Sequence, residues 1–203
     1  MYVRDAKNRE EVWLLDQIES MGLDESAFRS RDYVIAIDEE SGDKAGFGRI
    51  RIHQHDDGSD ICELTSIGVV SDWRSQGVGA HVIERLVEYA ADMEFETVYS
   101  LAQAPDYLAT FGFEPIDDED LPDVLIDRLA DKRERHDDPV VPMRIAVDEF
   151  QMPDDLRRRF KRAGRDTRAR ADDEKPDTAS LAEEFGIDPD EATYKYDTGG
   201  RRG

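Results

Sequence analysis

The sequence predicts a mixed α/β domain of the α+β kind, opening on an antiparallel meander and followed by a C-terminal extension. Three observations predict it. Short β-branched runs bounded by Gly, Asp and Ser turns alternate with stretches whose apolar residues recur every three or four positions. The early strands are joined by connections too short for a crossover helix, which makes them antiparallel neighbours. Charge is uneven: residues 1–150 carry a net −21 and residues 151–203 a net −1, so a boundary falls near Met152-Pro153. We read 1–150 as one domain and 151–203 as an Arg-rich extension, helical near 154–163 and largely flexible beyond.

Tyr2 to Arg4 reads as a short strand. From Asn8 to Met21, Val12, Leu15, Ile18 and Met21 recur at helical spacing, widened by Trp13 and Leu14. Tyr33–Asp38 and Ala45–His53 are strands joined by the turn-rich Glu39–Lys44, where Gly42 takes positive φ at no steric cost, so the pair forms a hairpin. A polar turn over His53–Asp60 leads into Ile61–Val70, the longest strand candidate. A helix follows, with Val78, Val82, Leu86, Tyr89 and Met93 three and four residues apart. Thr97–Ala102 is a strand, Pro105–Thr110 a short helix, and Phe113–Ile116 and Val140–Val147 are strands; no element is read between Ile116 and Val140. Asp154 or Asp155 caps a last helix with Leu156, Phe160 and Ala163 on one side.

Composition narrows the setting. The chain has 203 residues, 27 Lys+Arg against 49 Asp+Glu, and a net charge of −22. Asp outnumbers Glu, 30 to 19, and Arg outnumbers Lys, 21 to 6, the balance of proteins adapted to molar salt. There a Debye length of about 3 Å mutes the repulsion among carboxylates. Such a surface repels nucleic acid and anionic membranes on average, which points away from both as partners. A single cysteine, Cys62, excludes an internal disulfide framework, and no apolar run approaches the ~18 residues that span a membrane. The start, MYVRDAKNREE, lacks the apolar core of a signal peptide, so a soluble cytoplasmic protein is expected.

The most informative stretch is a strand, then Arg74-Ser75-Gln76-Gly77-Val78-Gly79-Ala80, then a helix. Glycines at 77 and 79 remove Cβ atoms that would block a close approach, and a helix start offers unpaired N–H groups at the positive end of its dipole. That pattern suits a pyrophosphate; a tight strand-to-helix turn would use the same residues. There is no GxxxxGK[ST], and the glycines follow the meander rather than open a βαβ unit, so a coenzyme A site is favoured over a P-loop or a dinucleotide site.

Glu63 to Ala80 resembles the central motif of the GCN5-related N-acetyltransferases (GNAT), with Arg74, Gly77 and Gly79 meeting its R-x-x-G-x-G core. A helix ending in a Gly-Phe pair, a second element of that family, is matched by Ala104 to Phe113. The resemblance covers about Met1 to Val147 and implies a central, mostly antiparallel mixed sheet flanked by helices. It further implies acetyl transfer from acetyl-CoA to a primary amine of a small molecule, an amino acid among the candidates, or of a protein, by direct attack in a ternary complex. Ile67, Gly68 and Val69 would pair with the pantetheine arm, the Val69 N–H would polarise the thioester carbonyl, and the amides of Gln76 to Ala80, with Arg74 and Ser75, would take the pyrophosphate. Glu63 stands where family members carry a general base, and alternation places it on one face with Thr65, Ile67 and Val69; burial that raised its pKa would suit the role. The family's tyrosine that protonates the departing thiolate falls four residues before Gly112, which here is Leu108, so Tyr107 serves only with a shift of helical register, and protonation by water is otherwise the default. Without that tyrosine, a non-catalytic acyl-CoA-binding or regulatory module is the alternative reading.

Other candidates are weaker. Arg49 and Arg51 share a strand face beside the expected cleft and could fork onto a substrate carboxylate, or simply pair within the acidic surface. His53-x-His55 with Asp56 and Asp57 has the ligand types for a metal but not the clustering, and no metal is expected. Cys62 reads as a buried small hydrophobe and His81 as a surface residue. The cluster Arg157, Arg158, Arg159, Lys161, Arg162, Arg165, Arg168 and Arg170 is read as docking on the acidic domain or on a second subunit, which leaves a homodimer open.

Overall fold

The computed structural model describes residues 1–54 and 59–164. Its strands are β1 (Tyr2–Asp5), β2 (Tyr33–Ile37), β3 (Lys44–His53), β4 (Ile61–Val69), β5 (Thr97–Ala102), β6 (Glu114–Pro115) and β7 (Val141–Ala146). The helices are α1 (Glu11–Ser20), α2 (Val78–Asp92), α3 (Pro105–Ala109), α4 (Asp123–Arg135) and α5 (Asp154–Arg162). The strands form one sheet in the order β1-β2-β3-β4-β5-β7-β6, antiparallel throughout except for β4 beside β5. Among the described residues no helix is long and apolar enough to cross a membrane.

Alternation along the strands sorts the helices onto two faces. Val34 and Ala36 of β2 join Val82, Ile83 and Leu86 of α2 in the main core, while Tyr33, Ile35 and Ile37 meet Leu14 and Ile18 of α1 on the opposite face. Gly46 and Gly48 let α2 lie close against β3: a Cβ at Gly48 would come within 2.6 Å of Val82 and 2.8 Å of Leu86. The apolar stripe of α1 differs from the expected one. Leu14 and Ile18, four apart, carry the burial, whereas Val12 in the first turn is 70% exposed.

Two further differences matter for the site. Helix α4 occupies part of the interval in which no element was expected, and buries Leu125 and Leu129 against Leu101, Leu121 and Val140. Helix α5 lies beyond the compositional boundary and places Phe160 and Ala163 in the main core. Its N-cap is Pro153 rather than an aspartate; Asp154 and Asp155 stand inside the first turn, where they favour the helix dipole without a side-chain cap. Arg165, Arg168 and Arg170 lie outside the described residues.

Candidate active site

Strands β4 and β5 pair only at Cys62↔Val98 and Glu63↔Tyr99, and the Ser100 hydroxyl bonds the Leu64 carbonyl at 3.1 Å. Beyond that point the strands diverge. The cleft between them, about 300 Å³, is lined on one side by Thr65, Ile67 and Val69 and on the other by Leu101, Ala102 and Ala104, with Tyr107 and Lys132 closing it. Backbone direction decides what β4 offers to it. Val70 N donates to Ala45 O on β3, so by alternation Gly68 also turns its amide toward β3, and the amides of Ile67 and Val69 face the open edge. Gly68 therefore stands apart from its two neighbours. Its missing side chain instead makes room for Phe47 and Met21, which a Cβ would approach to 2.6 and 2.7 Å.

A bulge sets this phase. Between Phe47↔Gly68 and Arg49↔Thr65, β3 spends one residue and β4 two, and Ser66 takes φ +49°. Ile67 and Val69 consequently pack with Cys62 and Leu64 on the α2 side, while Glu63 and Thr65 face α4. The expectation of one face shared by Glu63, Thr65, Ile67 and Val69 is corrected by this extra residue.

The loop at the head of α2 has two left-handed residues, Ser75 at φ +62° and Gly77 at φ +77°, flanking Gln76. Such a trace turns successive N–H groups to one side, next to the unpaired amides of the first helical turn. Arg74 reaches back to the Val69 carbonyl at 3.3 Å. The Gln76 side chain is structural, donating to Asp72 O at 2.8 Å and accepting from Gly164 N at 3.3 Å. Val78 and Ala80 are buried in the main core. A Cβ at Gly79 would sit 3.4 Å from the Tyr107 hydroxyl and 3.4 Å from Val69, ordinary contacts, whereas one at Gly77 would clash with Leu156 O. The space left at Gly77 is thus filled by the backbone of α5. Gly77→Ala combines that clash with an unfavourable φ, and we expect it to lower unfolding free energy by at least about 1 kcal/mol in a urea titration.

Helix α5 also corrects the reading of His81. The imidazole is 11% exposed, stacks on Phe160 with ring centroids 3.7 Å apart, and its Nδ1 donates to Gly77 O at 3.1 Å. Burial holds its pKa below the usual histidine value.

The open half of the cleft continues into a polar pocket of about 360 Å³ lined by Asp24, Ser26, Arg51, Arg128, Lys132, Arg135 and His136, among others. Glu63 lies behind it, fully buried. Its Oε2 is 2.8 Å from His53 Nε2 and accepts from Arg128 Nε at 2.8 Å, and its Oε1 accepts from Arg128 Nη2 at 3.2 Å. Burial alone would raise its pKa, but His53 and Arg128 together hold it below the ordinary carboxylate range, contrary to the expectation of a raised value. Arg128 also bonds Asp24 at 2.9 Å, and Arg51 reaches Asp24 at 3.4 Å and Ser26 Oγ at 2.9 Å. Asp24 is held well below its usual range against the opposing effect of its own burial, by Ser26 and Arg128. Lys132 donates to Leu101 O at 3.1 Å and Thr65 Oγ1 at 3.5 Å and has no ion-pair partner among the described residues. Burial lowers its pKa, while Glu63 pulls it back up.

Arg49 does not reach the pocket. It is 2% exposed and donates to Ser26 O at 2.8 Å and Ala27 O at 2.5 Å, so it anchors the loop after α1 rather than meeting a substrate. Arg51 does line the pocket. Tyr107 also faces the cleft and is 39% exposed; its ring packs edge-on against Phe111 at 5.2 Å, and partial desolvation of its hydroxyl raises the pKa, so it keeps its proton at neutral pH. Leu108, at the family's tyrosine position, is buried in the core. Burial pushes the Cys62 thiol up to about 12, which makes it an inert core residue. His55, Asp56 and Asp57 lie outside the described residues. Arg128 and Lys132 are the site residues that the sequence reading missed. The available signal was Leu121, Leu125 and Leu129, four apart around Pro122, which places Arg128 and Lys132 on one helical face.

Comparison with known proteins identifies the fold and the family. The model of the acetyltransferase (GNAT) family matches residues 3–113. N-acetylglutamate synthase from Neisseria gonorrhoeae, in complex with coenzyme A and N-acetyl-glutamate, superposes with a TM-score of 0.57 at 15% identity over 71% of this chain, which spans only 34% of that protein. Rv2747 from Mycobacterium tuberculosis, in complex with CoA and NLQ, gives 0.57 at 16% identity over 72% of this chain and 99% of its own. Ribosomal-protein-alanine N-acetyltransferase from Brucella melitensis gives 0.51 at 15% identity over 72% and 99%. At these identities the structures speak for the fold, and the family match covers more than half of the sequence. The chain belongs to the GNAT acetyltransferase family.

Proposed function

We propose that the protein is an N-acetyltransferase that moves the acetyl group of acetyl-CoA to the primary amine of a small molecule carrying an anionic group, an amino acid being the simplest case. The observation that carries the acceptor half is the polar pocket. Arg51, Arg128 and Lys132 stand against Asp24 and Glu63, with Arg135 added at the wall, and Lys132 has no carboxylate partner among the described residues. A partly desolvated ammonium of this kind is best satisfied by a carboxylate of the acceptor. The two structures solved with CoA and N-acetyl-glutamate, or with CoA and NLQ, support an amino-acid-sized acceptor.

The donor half rests on the cleft. The Ile67 and Val69 amides along an open strand edge suit a pantetheine arm, and the left-handed loop with the first turn of α2 suits the pyrophosphate. The Val69 N–H would hold the developing oxyanion. The amine nitrogen attacks the thioester carbonyl, a C–N bond forms, the C–S bond breaks, and the thiolate takes a proton from Tyr107, which is restored through water by the second proton that the nitrogen loses as it becomes the amide. Cations around the acceptor lower the pKa of its ammonium, so water carries that proton away. Glu63, clamped by Arg128 and His53, orients the acceptor-binding cations rather than acting as the base.

The test is thermal unfolding in molar KCl with acetyl-CoA, followed by thiol release with a panel of amines. Ligand at about 100 times its dissociation constant adds roughly 2.7 kcal/mol of stability. A shift with turnover on acidic amines supports the proposal; a shift without turnover on any amine favours a non-catalytic binding module, and no shift removes both.

A further inference from the structure

The extension beyond the family match holds a positively charged wall at the head of the cofactor loop. Arg158, Arg159 and Arg162 of α5 line a pocket of about 270 Å³ whose other walls are Asp155 and the loop residues Ser75 and Gln76. Helix α5 is fixed there at several points. Leu156 O occupies the space at Gly77, Gly164 N donates to the Gln76 side chain at 3.3 Å, Phe160 stacks on His81, and Arg157 pairs with Glu84 at 2.7 Å. Arg157 thus performs the intramolecular docking expected of the cluster, and Arg159 is paired with Asp155 at 3.5 Å. Arg158 and Arg162 are exposed and have no carboxylate partner among the described residues, in a chain with a net charge of −22. Two arginines left without a partner on an acidic protein, one wall away from an anion-binding backbone, call for a ligand that brings its own negative charge.

We propose that Arg158 and Arg162 form a second half of the donor site and bind phosphoryl groups at the nucleotide end of acetyl-CoA. This rests on the acetyl-CoA reading above. The α2 loop supplies backbone N–H donors, and α5 supplies the charge that the loop lacks, since Arg74 is its only cation and is turned to Val69. Two sources of phosphate are available on that ligand, the 3′-phosphate of the ribose and the pyrophosphate, and dephospho-CoA separates them because it lacks only the former.

The experiment compares CoA and dephospho-CoA binding by calorimetry to the full chain, to Arg158→Ala/Arg162→Ala and to Arg158→Lys/Arg162→Lys. Both side chains are exposed, so the variants should unfold at the wild-type temperature, which is checked first. The expected result is CoA binding weakened at least tenfold in the alanine variant and largely restored in the lysine variant. If dephospho-CoA binds wild type and alanine variant equally, the 3′-phosphate is the group held; if both ligands lose affinity in parallel, it is the pyrophosphate. Unchanged CoA affinity in the alanine variant overturns the inference and leaves the acetyltransferase reading intact. Failure of CoA to bind the wild-type chain removes that reading as well.

Discussion

We expect Lys132→Met, on the proposed function, to lower kcat/KM for an acidic acceptor about a hundredfold while leaving acetyl-CoA affinity unchanged. The magnitude follows from losing a charge-assisted contact in a partly dehydrated pocket, roughly 3 kcal/mol, which is about two decades in rate. Methionine keeps the apolar stem of the lysine and removes the ammonium whose burial lowers its pKa, so the melting temperature should hold or rise. The informative comparison is an amino acid against its methyl ester. The wild-type protein should prefer the free acid and the variant should not distinguish them. A loss of equal size on both substrates would place Lys132 in the chemical step and withdraw its role as carboxylate reader.

Glu63→Gln has its largest effect on the fold. The carboxylate is fully buried between His53 and Arg128, and removing its charge leaves Arg128 with Asp24 alone. Breaking a buried pair in this way costs roughly 3 kcal/mol. The pH profile gives the same residue a second signature. Because the folded-state pKa of Glu63 lies below its ordinary value, its contribution is fully present above the unfolded value near 4.5 and is lost as pH falls through that value toward the folded one. Denaturant titrations from pH 6 down to pH 3 should therefore fall less steeply for the variant, with a remaining slope from Asp24, whose pKa is also depressed. A variant as stable as wild type, with the same acid limb and no turnover, would return Glu63 to the role of general base.

The fold was legible in the sequence where one period dominated. The β2–β3 hairpin, the long β4 and the seven-residue stretch from Arg74 to Ala80 each combine a clear pattern with Gly or turn residues at fixed places, and their structure follows. Helix α4 was not legible because eight of its thirteen residues are charged and only Leu125 and Leu129 are buried, too narrow a stripe to stand out among so many charged residues. That concealed the cationic half of the candidate site, Arg128 and Lys132. The reversal of faces along β4 was hidden for a different reason: a bulge with a serine at φ +49° leaves no mark in the pattern of apolar residues, yet it turns Ile67 and Val69 to the α2 side. Arg49 and Arg51 show the same limit on one strand, where equal spacing gave one anchor for a loop and one wall of a pocket.

The two-rung seam between β4 and β5 has a mechanical meaning. Strands β1 to β4 form one plate and β5 to β7 another, joined along the sheet by Cys62↔Val98 and Glu63↔Tyr99. Above this short seam the two plates are held together by the shared core under α2 rather than by strand pairing. A ligand whose own amides run along the Ile67 and Val69 edge would act as a splice, carrying load from one plate to the other as a strand would. On the donor reading proposed above, such a molecule would also be a structural member, and the sheet would be stiffer with it bound than without it.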